Sequence, residues 1–591
     1  MKKHITIALD WGISPVLGIS VWLFFAVFYR HHWHYQEQMQ LFLFTPEYFM
    51  EQIVKPGGLS VYLGGFFTQF FYDSFSGAFG LSLLLVFMQR LVADTANHIS
   101  RKPDWRLLSC IPPLLYACFL CNEDVLISGT VALVSATATV ALYNRIGNPK
   151  VRRVFFFLMI PVLYFLIGMG AFVFVLLPPL TEWVRKTRSA AAVWLCMLLP
   201  GLLIFACMTY LMKFFMVQYP VERYWLAGDY YRFVNAASLY FLSAFLTAVI
   251  IPLLFAVLPE KKRSIAWWRY GLQLLLCVAV VVWGTMNMAD WKKEELMAYD
   301  YYARTQKWNS ILAMADKEAP SGPFTVSMLN LALAKTGYLP EYMFTYYQNG
   351  AEGLIPDFRR DNLQPLMAGE IYYHLGLVNT AQRYTFEAME AIPDAGKSVR
   401  CIKRLVETNL INGRHEVAAK YLSLLKHTLF YRKWAKETKE YLHNEERINA
   451  HPEWGTLRAY RPADDFLFSE TEKDQMLGLL FQHNPSNRTA YEYLLGFALL
   501  KKDLQAFQTY YRLGEGAVAY DAPPRSYQEA LALIWSQANY EQALKPQGLS
   551  DQTVQRLETY RNTFTSHANP ELLLKQSGGN TYWYYYHFGN K

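Results

Sequence analysis

The chain has 591 residues, of which 53% are apolar, 16% aromatic and only 18% charged, with a formal net charge of +8. That length exceeds one ordinary domain, and so apolar a composition excludes a disordered chain, a coiled coil and a collagen-like rod. The apolar residues are unevenly spread. Up to about residue 290 the chain keeps returning to apolar runs of roughly 15–25 residues, the length of a membrane-crossing helix, whereas residues 291–591 read as a soluble, aromatic-rich helical protein. The pattern predicts an all-α chain: a polytopic transmembrane helix bundle over 1–290, then a soluble helical domain over 291–591.

In chain order, the first run covers residues 12–29; no small-residue cleavage site follows it, so it does not read as a signal peptide. A loop over 29–77 comes next, far longer than a connector needs. Its Met39, Phe42, Phe49 and Ile53, mixed with Glu and Gln, predict short helices lying in the membrane interface. The loop carries Glu37 in a cluster with Arg30, His31, His32, His34 and Gln38. An HHxH run can bind zinc or copper, but no Cys or second His cluster supports a metal here. The favoured reading sets these histidines, His34 among them, beside lipid phosphate or headgroups. Pro56-Gly57-Gly58 and Gly64-Gly65 lack the Lys-Ser or Lys-Thr of a phosphate loop and read as turns and close helix packing.

Further runs lie at 78–94, 106–121, 125–144, 154–168, 169–184, 190–214, 236–257 and 268–288. Arg90 and Asp94, at the end of the second run, are expected to pair or snorkel. The stretch 154–184 has Gly168 and Gly170 in its middle and suits two short helices turning there, or one long tilted helix. The first reading gives about nine spans. It also segregates the basic residues: Lys2 and Lys3, Arg101 to Arg106, Arg145 to Arg153, Arg185 to Arg188 and Lys261 to Arg269 share one side, leaving chiefly Arg30, Lys55, Arg223 and Arg232 on the other. Basic flanks stay in the cytoplasm. The expectation is therefore a cytoplasmic N-terminus with the soluble half outside the membrane.

Two short outside loops complete the candidate chemistry. Asn122, Glu123 and Asp124 stand between two spans, where paired acids are expensive unless they meet water, a cation or a substrate. The loop 218–233 holds Glu222, Arg223, Asp229 and Arg232 among aromatics, and arginine suits phosphate. The same carboxylates read equally as solvated groups or as partners of neighbouring arginines. Six of the seven cysteines lie in or beside spans, so no disulfide framework exists in the soluble half. Cys118 and Cys121 are spaced CxxC inside an apolar run and read as small packing residues.

Beyond Trp291, helix pairs recur with a small residue at the turn, around Gly337, Gly376 and Gly413, with Asp503 at a fourth turn and a half-repeat over Tyr302 to Ala313. They loosely resemble tetratricopeptide repeats, which implies a solenoid offering a concave surface to a partner, or a structural cap on the membrane half. The terminal run Thr581 to Phe588, TYWYYYHF, is too aromatic to stay exposed and is expected to rest at the membrane interface, to stack on sugar rings or, the favoured reading, to pack into the array.

The long first outside loop with Glu37, the Asn122–Asp124 corner and the external C-terminal domain resemble the GT-C membrane glycosyltransferase superfamily, oligosaccharyltransferases included. The likeness covers roughly residues 1–290 and is one of architecture, with Asn122-Glu123-Asp124 in place of a plain Asp-x-Asp and fewer spans than is common. It implies Glu37, Asp124 and Glu123 as catalytic acids, with Glu37 and Asp124 acting directly or through Mg²⁺ or Mn²⁺. It implies Arg223, Arg232 or His34 on a lipid phosphate. The expected function is transfer of a sugar or oligosaccharide from a polyprenyl-phosphate or polyprenyl-diphosphate donor to a periplasmic acceptor, preferably a protein gripped by the repeats. Expected partners are the bilayer, the lipid-linked glycan and a protein or glycan acceptor, without nucleic acid, since the positive charge flanks the spans. The rival reading is a non-catalytic envelope scaffold whose repeats recruit partner proteins for secretion or assembly. A transporter has less support, because no pair of broken helices recurs in matching halves. The chain also resembles an uncharacterised family of Bacteroidota inner-membrane proteins with a periplasmic repeat domain, which implies no function.

Overall fold

The computed structural model describes residues 2–589 except 186–188, 217–220, 226, 229, 233–238, 260–266, 359–362, 394–395, 463–468, 538–544 and 547. Asp229, Lys186, Arg188 and Lys261 to Arg263, singled out above, lie outside the described residues, as do the side chains of Lys2, Lys3 and Glu222. The chain divides into two compact units: Met1–Glu294 with His427–Arg432, and Glu295–Lys426 with Lys433–Lys591. Among the described residues all regular structure is helical, apart from one isolated bridge between Val125 and Tyr231.

The first unit opens with α1 (Lys2–Leu23), continued by a π turn, and the short α2 (His31–Gln38), α3 (Pro46–Ile53) and α4 (Gly58–Thr68). Then come α5 (Ser74–Ile99), α6 (Ile111–Phe119), α7 (Ile127–Arg145), α8 (Pro149–Ile167), α9 (Ala171–Val184), α10 (Leu199–Phe215), α11 (Val221–Trp225), α12 (Leu239–Leu254) and α13 (Trp267–Met288). Among the described residues five helical stretches are long and apolar enough to cross a membrane, and six if the pair Gly12–Phe28 and His31–Gln38, bent by 79°, counts as one span. By length, Pro149–Val184 is one of the five. Its side chains argue otherwise. Arg152 at the start of α8 lies 3.0 Å from Glu182 at the end of α9, and the Phe156 and Phe174 rings are 5.6 Å apart. A straight helix would hold residues 152 and 182 about 45 Å apart. The stretch is therefore a hairpin, turning at Gly168 with φ +60° and ψ −130°, a conformation open to glycine.

The hairpin helps to define two ends of the bundle. At one end, Arg145 pairs with Asp94 at 3.3 Å, Arg152 with Glu182, and the buried Arg269 with Asp104 at 3.3 Å. Asp94 thus takes Arg145 as a partner. The starts of α5 and α7, and hence Ser74 and Val125, lie at the other end. The glycines of the first loop serve as expected: Gly57 has φ +79°, and a Cβ on Gly64 would press against the Ser128 backbone.

The second unit is built from helix hairpins. Its helices include α14 (Trp291–Arg304) from Glu295 onward, α15 (Trp308–Lys317), α16 (Pro323–Lys335), α17 (Leu339–Tyr342), α18 (Gln364–Leu375), α19 (Val378–Glu390), α20 (Val399–Ile411), α21 (His415–Leu425), α22 (Arg488–Leu500) and α23 (Leu504–Leu513). One turn recurs between consecutive members of these pairs. A left-handed residue ends the helix at Gln306, Gly337, Gly376, Gly413 and Lys502. The next N–H reaches back five residues: Lys307 to Tyr302, Tyr338 to Leu333, Leu377 to Tyr372, Arg414 to Asn409 and Asp503 to Ala498, all at 2.7–3.0 Å. This is the Schellman closure, which satisfies the last carbonyls of one helix while aiming the chain into the next. The end of the chain forms α24 (Arg525–Gln537), α25 (Asp551–Ser566), α26 (Glu571–Gly578) and α27 (Tyr582–Phe588). As expected, the aromatic run packs inward: Tyr582, Trp583 and Tyr585 are buried. All seven cysteines are free.

Between α14, α18 and α20 lies a buried ionic network. Arg400 grips Asp300 with two bonds of 2.7 and 2.9 Å and Glu370 with one of 3.0 Å, while Arg404 joins Glu370 at 2.6 Å to Glu407 at 2.8 Å. Burial opposes the charge on Glu370, but Arg404 and Arg400 hold its carboxyl well below the usual range.

Candidate functional site

The site begins with α2, whose sequence HHWHYQEQ is almost wholly polar and whose eight residues are all buried. A polar helix survives burial only if its groups find partners. Its N-terminus is capped by Glu294, whose carboxylate oxygens accept the N–H groups of His31 at 2.6 Å and His32 at 3.0 Å. Burial would raise that carboxyl, yet hydrogen bonding to His32 and the charges of His32 and His31 hold it below its ordinary value. The cap is therefore present above the usual carboxylate range and is lost as pH falls through the depressed pKa. Glu294→Ala should destabilise the first unit by about 1–2 kcal/mol, read as a lower unfolding midpoint of the full chain in detergent; an unchanged midpoint would remove this role.

The three loops singled out by sequence meet on α2. Gln36 donates to the Val125 carbonyl at 2.9 Å, and a ring nitrogen of His32 lies 2.9 Å from the Leu120 carbonyl. Both contacts tie the first loop to the Asn122–Asp124 corner. The loop 218–233 docks on the same corner, with Arg232 N–H on the Asp124 carbonyl at 2.8 Å and Leu126 N–H on the Tyr230 carbonyl at 2.9 Å. The Arg232 guanidinium sits over the Tyr35 ring, 5.5 Å from its centre. Among the described residues its Nε and Nη1 are buried without a hydrogen-bond partner, as are Trp33 Nε1 and Gln36 Oε1. Burial, reinforced by Glu123, raises the pKa of Asp124 against the opposing pull of Arg232 and Lys293.

The other expected site residues are distributed differently. Glu123 is ion-paired with Lys293, just after the last apolar helix. Glu37 is 4% exposed and accepts the Tyr431 hydroxyl on both oxygens, at 3.0 and 3.1 Å. Tyr431 belongs to the 427–432 segment of the same unit, where Phe430 stacks on Tyr72 at 5.1 Å. Glu37 is thus engaged by Tyr431, whereas Asp124 stands with Glu123, Arg232 and Lys293. Among the described residues no three His, Cys, Asp or Glu side chains form a group able to hold a metal.

His34 has Nδ1 at 2.9 Å from the Phe71 carbonyl and Nε2 at 2.8 Å from the Ser74 hydroxyl. Both ring nitrogens are used within the protein, so His34 orients α2 instead of offering itself to a phosphate. Arg223 lies on α11, which packs on α10 and the Gly168–Gly170 turn. Sequence reasoning missed Glu294, Lys293, Tyr35, Gln36 and Tyr431. The acid-rich start WKKEE after the last span was the one visible signal, and it does not say which helix those acids meet.

Residues 3–589 match a family described as one of unknown function, DUF6057. The chain belongs to that family. No curated protein and no solved structure matches it. The DUF6057 match runs through both units, so the α2 cluster and the helix hairpins fall within one family domain.

Proposed function

We propose that this DUF6057 protein is a membrane transferase that moves a sugar or oligosaccharide from a polyprenyl-phosphate or polyprenyl-diphosphate donor to an acceptor on the far side of a bacterial inner membrane. The observation that carries the reading is the meeting of Asp124 and Arg232 on the buried polar helix α2. Arg232 keeps two buried donors without a partner, and Tyr35 holds its plane. A phosphate leaving group supplies the anionic oxygens those donors lack. Asp124 is the base that takes the proton from the acceptor hydroxyl or amide as the glycosidic bond forms and the bond to the lipid phosphate breaks. Glu37 and His34 act as positioning residues. The repeat unit, read as a tetratricopeptide-like solenoid, grips a protein acceptor.

Because Asp124 is raised, it loses its charge on acidification at a higher pH than an exposed aspartate. Transfer should therefore decline as pH falls, starting above the ordinary aspartate value of about 4. A pH–rate profile checks this, and a profile flat down to that value would remove Asp124 as the base.

The orientation belongs to the same proposal. The hairpin puts the basic start of α8 and the end of α9 on one face, which supports nine crossings with a cytoplasmic N-terminus. Single cysteines in a cysteine-free background test it: Asn148→Cys should be labelled only from the cytoplasm and Asn122→Cys only from outside. Labelling of both from one side would overturn the topology.

A further inference from the structure

The second unit carries a cleft of about 370 Å³ that the transfer chemistry does not use, between α25 and the arm formed by α26 and α27. Its size falls in the range of small-molecule sites. Tyr560 and Trp583 close its floor, with ring centres 5.7 Å apart. Their polar atoms are committed elsewhere: the Tyr560 hydroxyl donates to the Trp583 carbonyl, and the indole N–H donates to the Glu529 carbonyl at 2.7 Å. The floor is therefore apolar in character.

The walls are different. Thr559 and Thr563 donate their hydroxyl protons back into their own helix, to the Gln555 and Thr559 carbonyls at 2.9 and 3.0 Å, and Ser577 does the same to Leu573 at 3.0 Å. A hydroxyl whose proton is spent in this way presents acceptor lone pairs. Gln552 and Gln555, both exposed, add amides that donate and accept. The one cation is Arg556, held at 3.0 Å by Glu529 and set over the Trp583 ring at 5.6 Å. Glu529 is itself buried and fixed by Arg525 at 3.0 Å and the Tyr582 N–H at 2.7 Å. Arg556 is thus pinned in the wall with a carboxylate partner.

Acceptor-rich hydroxyls and amides gathered on one side of the cleft complement a ligand with many closely spaced hydroxyl donors. We propose that this cleft binds an uncharged carbohydrate. A polypeptide fits less well, because its donors are single backbone N–H groups set apart along the chain, whereas the cleft gathers acceptors from two adjacent turns of α25 and from α26. The inference does not depend on the transfer reading, since no cleft residue lies in the first unit.

The test uses the full chain in a detergent without a sugar headgroup, applied to an array of immobilised neutral and acidic oligosaccharides. Saturable retention on neutral oligosaccharides is expected, weakened at least tenfold by the double variant Gln555→Leu/Thr559→Val and unchanged by Gln505→Leu, an exposed residue on α23. Both cleft positions are exposed, so the double variant should fold, and an unchanged unfolding midpoint verifies that. No retention, retention on acidic glycans alone, or equal binding by the double variant would each overturn the proposal. Asp124→Asn should bind the array as wild type does, so a failed array and a failed transfer assay remain separate results.

Discussion

Replacing Arg400 with methionine should destabilise the second unit by about 3–5 kcal/mol, because it leaves the buried Asp300 without its two charge-assisted bonds. Arg400, Asp300 and Glu370 are all nearly inaccessible, so water cannot replace the lost partner. The loss should appear as faster hydrogen exchange in α14, α18 and α20 of the full chain. Removing both ends of the pair, Arg400→Met with Asp300→Leu, should recover most of the stability, since apolar replacement of a buried ion pair is often neutral. Glu370 then keeps Arg404 at 2.6 Å. If the single variant exchanges like wild type, the network is not what ties these helices together.

The second large effect belongs to the α8–α9 hairpin. Gly168→Val should prevent the first unit from folding, for two separable reasons. Its φ of +60° with ψ −130° is closed to a β-branched residue. A Cβ there would also be driven into the Ala227 carbonyl, which already accepts the Met169 N–H at 2.8 Å. Backbone strain of about 1–3 kcal/mol combined with overlap against fixed backbone exceeds what a marginally stable domain tolerates. The measurement is the monodisperse fraction recovered in detergent, with Gly147→Ala, whose added Cβ meets nothing within 4 Å, as the control. Recovery of Gly168→Val at the control level would contradict the hairpin.

These two sites differ in how far the sequence exposes them. The hairpin was legible: about thirty apolar residues broken by Gly168 and Gly170 outrun a single crossing, and the basic residues at its ends assort correctly only if the chain doubles back. Three of the helix-hairpin turns were legible for the same kind of reason, since glycine is the residue that takes a left-handed φ freely. The turns at Gln306 and Lys502 have no glycine, and the sequence located them only through Asp503 and the half-repeat over Tyr302 to Ala313.

The candidate site was half legible. Loop length, paired acids and arginines named the three segments that meet. Their chemistry depends on contacts made across the chain, such as Glu294 on the α2 N-terminus 262 residues away in sequence and Tyr431 on Glu37. Local pattern also suggested that the first loop lies in the interface. α3, with none of its residues buried, fits that picture, whereas α2 is enclosed. The partners that enclose α2 come from loops that sequence spacing cannot join, which is why Glu37 and His34 read as reactive groups when their polar atoms are engaged by Tyr431, Phe71 and Ser74.

The central claim is that Asp124 and Arg232 do chemistry on a lipid-linked glycan. The most direct measurement compares envelope glycans, by glycopeptide mass spectrometry, in a deletion strain and in strains complemented with wild type, Asp124→Asn or Arg232→Ala at matched protein levels. The account predicts that one glycan class disappears in the deletion strain, returns with wild type and stays at least 100-fold depressed with either variant, in line with about 3 kcal/mol of lost transition-state stabilisation. An unchanged glycan profile in the deletion strain, or full restoration by Asp124→Asn, would contradict it.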